Sequence, residues 1–309
     1  MTGLAAAGTA DPAQLEALRR RLERTVEVVN RTLDEILPRP SGLYARVVEA
    51  MRYAVFAGGK RLRPFLTLAT ASLFDVPEER ALRVGAGIEA LHTYSLIHDD
   101  LPCMDDDDLR RGRPTAHRQF DEATAILAGD ALLTFCFSIL ADPRTHPSSN
   151  VRTELVARLT EAAGSAGMIG GQMIDILAPD RTYKESEILL LQALKTGALF
   201  EFSCEAGAIL AEAGDDDRQR LRRFARDFGL AFQITDDLID VVGAAEQAGK
   251  AVGKDREQGK ATLVSLYGVD KARAEAARLA NEAAESLSPY GSAAAHLRAL
   301  PFLLLDRSA

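Results

Sequence analysis

Two aspartate-rich stretches carry the residues most able to do chemistry. The first, His98-Asp99-Asp100-Leu101-Pro102-Cys103-Met104-Asp105-Asp106-Asp107-Asp108, follows the apolar run Ile88 to Ile97 and holds six carboxylates in the ten residues from Asp99. The acids therefore fall at the C-terminal end of a helix, where the helix dipole disfavours anions. An arbitrary acidic run is as often a solvated loop, but these flanks are too apolar for a surface tail. The second stretch, Asp236-Asp237-Leu238-Ile239-Asp240, lies between Phe228–Ile234 and Val241-Val242. Asp236 and Asp240 are four apart, so both carboxylates emerge on one helical face. Burying such a pair without a counter-ion is costly. A hard divalent cation removes the conflict, and Mg²⁺ takes a few carboxylates together with waters and substrate phosphates. Asp99 and Asp105, six apart, would be about 120° out of line on an ideal helix. Pro102 allows a kink there, so the spacing permits a shared face without proving it.

Basic residues stand beside the acids. Leu109-Arg110-Arg111-Gly112-Arg113-Pro114 follows the first motif directly, and arginines there suit bidentate contact with phosphate. Plain charge balance is the alternative. Upstream, Gly58-Gly59-Lys60-Arg61-Leu62-Arg63-Pro64 ends one helical stretch and opens the next. Backbone amides at that start, with Lys60 and Arg63, would form a second anion site, although basic clusters often only decorate surfaces. Lys195-Thr196-Gly197 lies in a helical run whose glycine invites local unwinding, and Lys250, Lys254 and Lys260 follow the second acids. Together these groups could hold two diphosphates, one through metals and one through side chains alone.

The elements that must position these groups are helical. The chain has 309 residues, 47% hydrophobic and 27% charged, which is globular composition with material for a large core. A net charge of −8 with a pI of 5.3 offers no basic face to nucleic acid. Cys103, Cys136 and Cys204 lie far apart with no CxxC pair, which argues against a disulfide framework or zinc site and points to a reducing cytosol. The N-terminus has neither a basic leader nor a long apolar run, and no stretch is expected to approach the roughly 20 apolar residues of a membrane span. A soluble, cytoplasmic protein is expected.

Alternating β-branched runs are nearly absent, while apolar residues recur at three- and four-residue spacing, as in Leu15, Leu18, Leu22, Val26 and Val29. Leu43–Ala57, Ala81–His98, Ala123–Leu140, Val151–Ile176 and Leu221–Val242 read as helices, several apolar almost all round. Breakers fall at Pro38–Pro40, Phe74–Pro77, Pro143–Asn150, Pro179-Asp180 and Gly214–Asp217. These short connections predict one all-α domain over residues 12–309 after a disordered 1–11. Gly243–Gly259 is expected to be a charged loop long enough to be functional.

On these residues the chain resembles the trans-isoprenyl diphosphate synthases, and most closely the bacterial farnesyl diphosphate synthases. GGKRLRP, LIHDDLPCMDDDDLRRGRPTAH, ILAGDALL, KTGAL, FQITDDLID and GKDREQGKAT stand in that family's order from about Tyr44 onward. The resemblance implies an all-α, single-domain bundle of the isoprenoid synthase type with a deep central cavity, usually a homodimer. It implies that Asp99, Asp105 and Asp236, helped by Asp100 and Asp240, bind about three Mg²⁺, with Mn²⁺ able to substitute, around an allylic diphosphate. Arg110, Lys195 and Lys260 would contact that diphosphate, and Lys250 would complete its site on closure of the loop. Gly59, Lys60, Arg63, His92 and Arg111 would cradle isopentenyl diphosphate. Thr196 and Gln233 would sit beside the allylic carbon. The catalytic set is then Lys195, Thr196, Gln233, Asp99 and Asp236, with Gln172 and Asp175 matching an element that lines the cavity.

Tyr94, five residues before Asp99, would form the floor on which the growing product stops, with Ser95 adding little bulk. It is otherwise an ordinary core aromatic. Tyrosine here, with two extra residues between the aspartates, resembles the C15 farnesyl makers. The expected reaction is 1'-4 condensation of isopentenyl diphosphate with dimethylallyl and geranyl diphosphates, with C20 or C10 products as alternatives. A non-catalytic diphosphate-binding subunit would be expected to lose a metal or basic residue, and none is lost. A terpene cyclase would need no second diphosphate site.

Overall fold

The structure, a computed structural model, describes residues 11–178, 181, 183–248 and 262–306. Fourteen α-helices account for most of the described residues: α1 (Pro12–Ile36), α2 (Ala45–Val55), α3 (Leu62–Ser72), α4 (Glu78–Asp99), α5 (Ala116–Gln119), α6 (Glu122–Ala141), α7 (Ser149–Ala163), α8 (Met168–Ile176), α9 (Glu185–Gln192), α10 (Ala198–Leu210), α11 (Asp215–Ala248), α12 (Leu263–Tyr267), α13 (Val269–Ser286) and α14 (Ala295–Leu305). One π-helical turn, Ala193–Gly197, joins α9 to α10. The fold class is all-α, as the periodicity predicts. A two-stranded antiparallel ribbon, β1 (Leu109–Arg110) and β2 (Arg113–Pro114), is an addition the sequence did not announce.

The chain divides into two compact units. The first comprises Arg20–Val156 with Ile209–Glu212 and is organised around α4. Glu78 and Glu79 occupy the first turn of α4, the favourable end of its dipole. From Ala81 to Leu91 every residue except Leu82 is buried. Glycines let neighbours approach: a Cβ on Gly85 would lie 3.2 Å from the Pro64 backbone of α3, and one on Gly87 would lie 3.6 Å from the Cys136 carbonyl of α6. Asp121 caps α6 by accepting from the Thr124 amide at 2.7 Å.

A buried ion pair fixes the join between α2 and α3. Arg61 stands at φ 48° with its guanidinium against Glu89 at 2.6 Å, and it also donates to the Val55 carbonyl at 2.6 Å and to Asn30 Oδ1 at 3.0 Å. Both side chains are almost wholly buried, 1% and 4% exposed. Glu89→Ala leaves that guanidinium buried without its charge partner, which should destabilise the protein by about 3–5 kcal/mol. Urea denaturation reads this, and a loss under 1 kcal/mol would contradict the assignment.

The second unit contains Ala157–Ala208 and Ala213–Ala309, with the N-terminal residues to Arg19. Its centre is α11, 34 residues long, with Asp215, Asp216 and Asp217 in its first turn. Phe224, Phe228 and Phe232 of α11 pack with Phe200 of α10 at centroid distances from 5.3 to 6.3 Å. Ala231, Ile234 and Leu238 form a further core with Ala272, Ala276 and Leu279 of α13. The apolar C-terminal residues form α14, which packs on α11 and α13.

Three expectations are corrected. The run 151–176 is not one helix: it breaks between α7 and α8, where Gly167 takes φ −131°, ψ −133° and a Cβ would come within 2.2 Å of the Ala162 carbonyl. The segment expected to loop from Gly243 stays helical to Ala248, and the remainder of that segment lies outside the described residues. Finally, α6 is long and apolar enough to cross a membrane by length and composition. It packs on α2 and α4, which accounts for its Ala- and Leu-rich sequence. Of residues 1–11, all but Asp11 lie outside the described residues; Asp11 accepts from the Ala13 amide at 3.0 Å.

Candidate active site

In the first unit the acids emerge where α4 ends. Leu101 and Met104 close a tight turn, and the Asp105 amide donates to the Asp99 carbonyl at 2.9 Å. The chain thus folds back through Pro102-Cys103, and the two residues that helical spacing would separate are joined by a backbone bond. Asp99 is partly buried and Asp105 exposed. Asp106, Asp107 and Asp108 are exposed as a rim, Asp108 pairing with Arg118 at 2.9 Å.

Asp100 points elsewhere. It is 3% exposed and receives Arg110 Nε and Nη2, both at 2.6 Å on Oδ1. Burial pushes the Asp100 carboxyl up, and Arg110 opposes that rise. Burial also works against the Arg110 charge, but Asp100, Asp107 and Asp99 outweigh it and leave its pKa raised. In the free protein Asp100 thus holds Arg110, a role that spacing did not distinguish from metal ligation.

The ribbon turns through Arg111-Gly112, at φ 55° and 75°. Two successive positive φ values are the signature of the two-residue hairpin turn whose twist matches its strands. A non-glycine residue held there costs of order 1–3 kcal/mol. The turn brings the Arg111 guanidinium onto Gly58, whose carbonyl accepts from Nη1. Gly59 has φ 126°, and any Cβ on it would lie 2.4 Å from Arg111 Nη1. Both its conformation and its neighbour therefore require glycine.

Arg63 and His92 complete a cationic cluster, with Arg63 Nη1 3.4 Å from His92 Nε2. Lys60, three residues before Arg63 in the chain, is exposed. Burial first, and then Arg63, Arg111, Arg110 and Arg61, hold the His92 pKa well below 6.5. Burial lowers Arg63 to about 10. A chain of net charge −8 that gathers arginines around a neutral histidine has built a place for a polyanion. The sign for His92 is that its stabilising contribution is complete above pH 6.5 and is lost as pH falls towards its depressed folded value. NMR of the His92 ring should show that depressed midpoint, and inorganic diphosphate should raise it by offsetting the arginine field. A midpoint at or above 6.5 in the free protein would refute the cluster's electrostatics.

The second unit holds the other acids and the lysine motif. On α11, Asp236 and Asp237 are partly buried and Asp240 is exposed. The expected unwinding at Lys195-Thr196-Gly197 is present as the π turn, a form frequent at functional sites. Glycines press it from two sides: a Cβ on Gly171 would lie 2.2 Å from the Lys195 amide nitrogen, and one on Gly229 would lie 3.6 Å from Gly197 Cα. Thr196 Oγ1 donates to Gln233 Oε1 at 3.1 Å, so the two residues expected beside the allylic carbon do meet. Lys195 Nζ is ion-paired with Asp175. Gln172, its neighbour on α8, has a buried Nε2 with no hydrogen-bond partner among the described residues. Lys250, Lys254 and Lys260 lie outside the described residues.

Among the described residues no three His, Cys, Asp or Glu side chains converge on one point. Mg²⁺ typically takes one or two protein carboxylates and completes its shell with waters and phosphate oxygens. Both donor sets are oxygen-only, the kind Mg²⁺ prefers, so Asp99 and Asp105 in one unit and Asp236 and Asp240 in the other could each supply carboxylates to such an ion. His117 and His146, which show no metal-ligand spacing, are buried at 8% and 5% exposure and bond locally to Thr115 and Ser148.

Tyr94 is buried in α4, 6% exposed, with its ring edge-on to His98 at 5.6 Å between centroids. Burial, then the Asp99 charge, push its hydroxyl up to about 12. Ser95 Oγ turns back to the His92 carbonyl at 2.9 Å.

Carboxylates suited to hard cations and a guanidinium cluster suited to polyanions, carried on helices, fit an enzyme class that works on phosphorylated substrates. The polyprenyl synthetase family model matches residues 45–293; the chain belongs to that family and is a prenyltransferase. It is 44% identical over 255 residues to the farnesyl diphosphate synthase of Bacillus subtilis, covering 81% of this chain and 84% of that one. It is 38% identical over 283 residues to the geranylgeranyl diphosphate synthase of Cyanophora paradoxa, covering 91% and 94%. A crystal structure of an FPP/GFPP synthase from Zymomonas mobilis superposes with a TM-score of 0.85 at 48% identity, covering 93% of this chain and 98% of that one.

Proposed function

We propose that this chain makes (2E,6E)-farnesyl diphosphate, joining isopentenyl diphosphate first to dimethylallyl and then to geranyl diphosphate. Tyr94 carries the choice of length. It lies five residues before Asp99, about 7.5 Å back along α4 at 1.5 Å per residue, and its buried ring packs edge-on against His98. The farnesyl synthases among the relatives support the same length. The geranylgeranyl synthase relatives support a C20 product as the second reading. Incubating the protein with both C5 diphosphates and measuring the carbon number of the product decides between them: mainly C20 would overturn the first.

The residue roles are those the family resemblance implies. Arg110 and Lys195, with Lys260 and Lys250, hold the allylic diphosphate. Gly59, Lys60, Arg63, His92 and Arg111 hold isopentenyl diphosphate without metal. Asp99, Asp105, Asp236 and Asp240 hold Mg²⁺, with Asp100 acting through Arg110. A bound divalent ion would neutralise diphosphate oxygens and so favour departure of the leaving group. The C–O bond of the allylic ester breaks with its electron pair leaving on diphosphate, and the isopentenyl double bond supplies the pair that forms the new C–C bond. A proton then passes to a diphosphate oxygen as the trans double bond forms. Oxygen dipoles of Thr196 and Gln233 stabilise the developing positive charge.

A homodimer is part of this reading. Ile126 and Leu127, at 43% and 58% exposure on apolar α6, support it, and light scattering would test it. The cysteines among the described residues are all free, which supports a reducing cytosol.

A further inference from the structure

Gln192, the residue that leads into the π turn, has no role in the chemistry above, yet it is 5% exposed and polar. Its Nε2 donates to Asp237 Oδ2 at 3.4 Å, while its Oε1 is buried with no hydrogen-bond partner among the described residues. A buried orphan carbonyl is costly, so an apolar side chain of the same shape would suit the fold better. The same Asp237 accepts from Gln233 Nε2 on its other oxygen, Oδ1, at 3.2 Å. Gln233 Oε1 in turn accepts from Thr196 Oγ1 at 3.1 Å.

We propose that Gln192 and Asp237 set the polarity of the Thr196–Gln233 pair. A carboxylate only accepts hydrogen bonds, whereas an amide has one accepting and one donating end. Asp237 therefore draws the NH₂ ends of both glutamines, and Gln233 must present its oxygen on the other side. That oxygen takes the Thr196 proton, leaving the lone pairs of Thr196 Oγ1 uncommitted. Both oxygens then carry their negative ends outward, the orientation that favours a developing cation. With Gln233 reversed, its NH₂ dipole would meet the cation instead. Gln192 fixes the second oxygen of Asp237 and so keeps the carboxylate from swinging away from Gln233. It is a positioning residue, since it acts only through Asp237.

This inference rests on Thr196 and Gln233 facing the allylic carbon, and the test separates the two. In the full-length enzyme, Gln233→Leu should lower kcat for geranyl diphosphate, as that reading requires; unchanged kcat would fail the reading itself. Gln192→Met, close in shape and without a carbonyl, should lower kcat about tenfold, leave KM for both diphosphates within twofold, and keep or raise Tm. Gln192→His restores one N–H towards Asp237 and should recover most of the loss. In the Gln233→Leu background, Gln192→Met should have no further effect. The proposal is overturned if Gln192→Met keeps wild-type kcat, if its loss appears in KM, or if the two substitutions act independently while Gln233→Leu alone is impaired. Should Gln192→Met fail to fold, Gln192→His carries the same decision through its kcat and its coupling to Gln233→Leu.

Discussion

Asp236→Ala is expected to lower kcat by at least about 10³-fold while the protein remains folded. A positioned divalent ion contributes several kcal/mol to charge stabilisation in the transition state. Each 1.36 kcal/mol is a factor of ten in rate, so losing about 4 kcal/mol gives three decades. The fold should tolerate the change because the core face of this stretch of α11 is carried by Ala231, Ile234 and Leu238. Alanine is also a better helix former than aspartate. Asp240, exposed one turn on, should cost less when replaced. Steady-state kinetics at saturating Mg²⁺, beside circular dichroism of the same sample, reads both halves of this expectation. A loss below tenfold with intact helicity would remove Asp236 from the metal set.

The aspartates were legible because their conflict with an apolar helix needs no three-dimensional information. Asp236 and Asp240 share a face by periodicity alone, and α11 runs through them without interruption. The juxtaposition of Asp99 and Asp105 was not legible in the same way, because it depends on a turn around Pro102-Cys103 that closes with a bond of seven-residue span. The ribbon was missed because strands of two residues leave no alternating pattern. Its one available signal was Arg111-Gly112 between arginines, and arginine is an uncommon residue at positive φ. Arg63 is an expected anion ligand in GGKRLRP and Arg61 has no expected role, yet Arg61 is locked to Glu89 while Arg63 stands beside His92. Only the direction in which α3 starts separates them. The Gln192–Asp237 contact is less visible still, since it spans 45 positions and joins the end of α9 to the middle of a long helix. Sequence periodicity finds faces of helices; it does not find bonds between them.

Tyr94→Ala is expected to move the main product from C15 to C20 or longer. The ring is buried in α4, only 6% exposed. His98 lies edge-on against it, and His98 is itself seated on α6, its Nε2 3.1 Å from the Ile126 carbonyl. A Cβ on Gly129 would fall 2.2 Å from that Nε2, so the histidine fills the space a side chain there would take. A tail growing back along α4 from Asp99 therefore meets two packed rings one turn apart, His98 and then Tyr94, and Ser95, bonded to its own backbone turn, adds no further barrier. Removing the ring leaves a cavity and, for an aromatic truncated to alanine, a stability loss of about 3–5 kcal/mol. That same cavity is the space the longer tail needs. Tyr94→Phe keeps the bulk and should keep the C15 product. The hydroxyl, pushed up to about 12, is neutral at any working pH, so product length should not vary with pH either. Chromatography of the dephosphorylated products distinguishes the outcomes. A C15 product from Tyr94→Ala would mean that elongation is stopped elsewhere than at this ring.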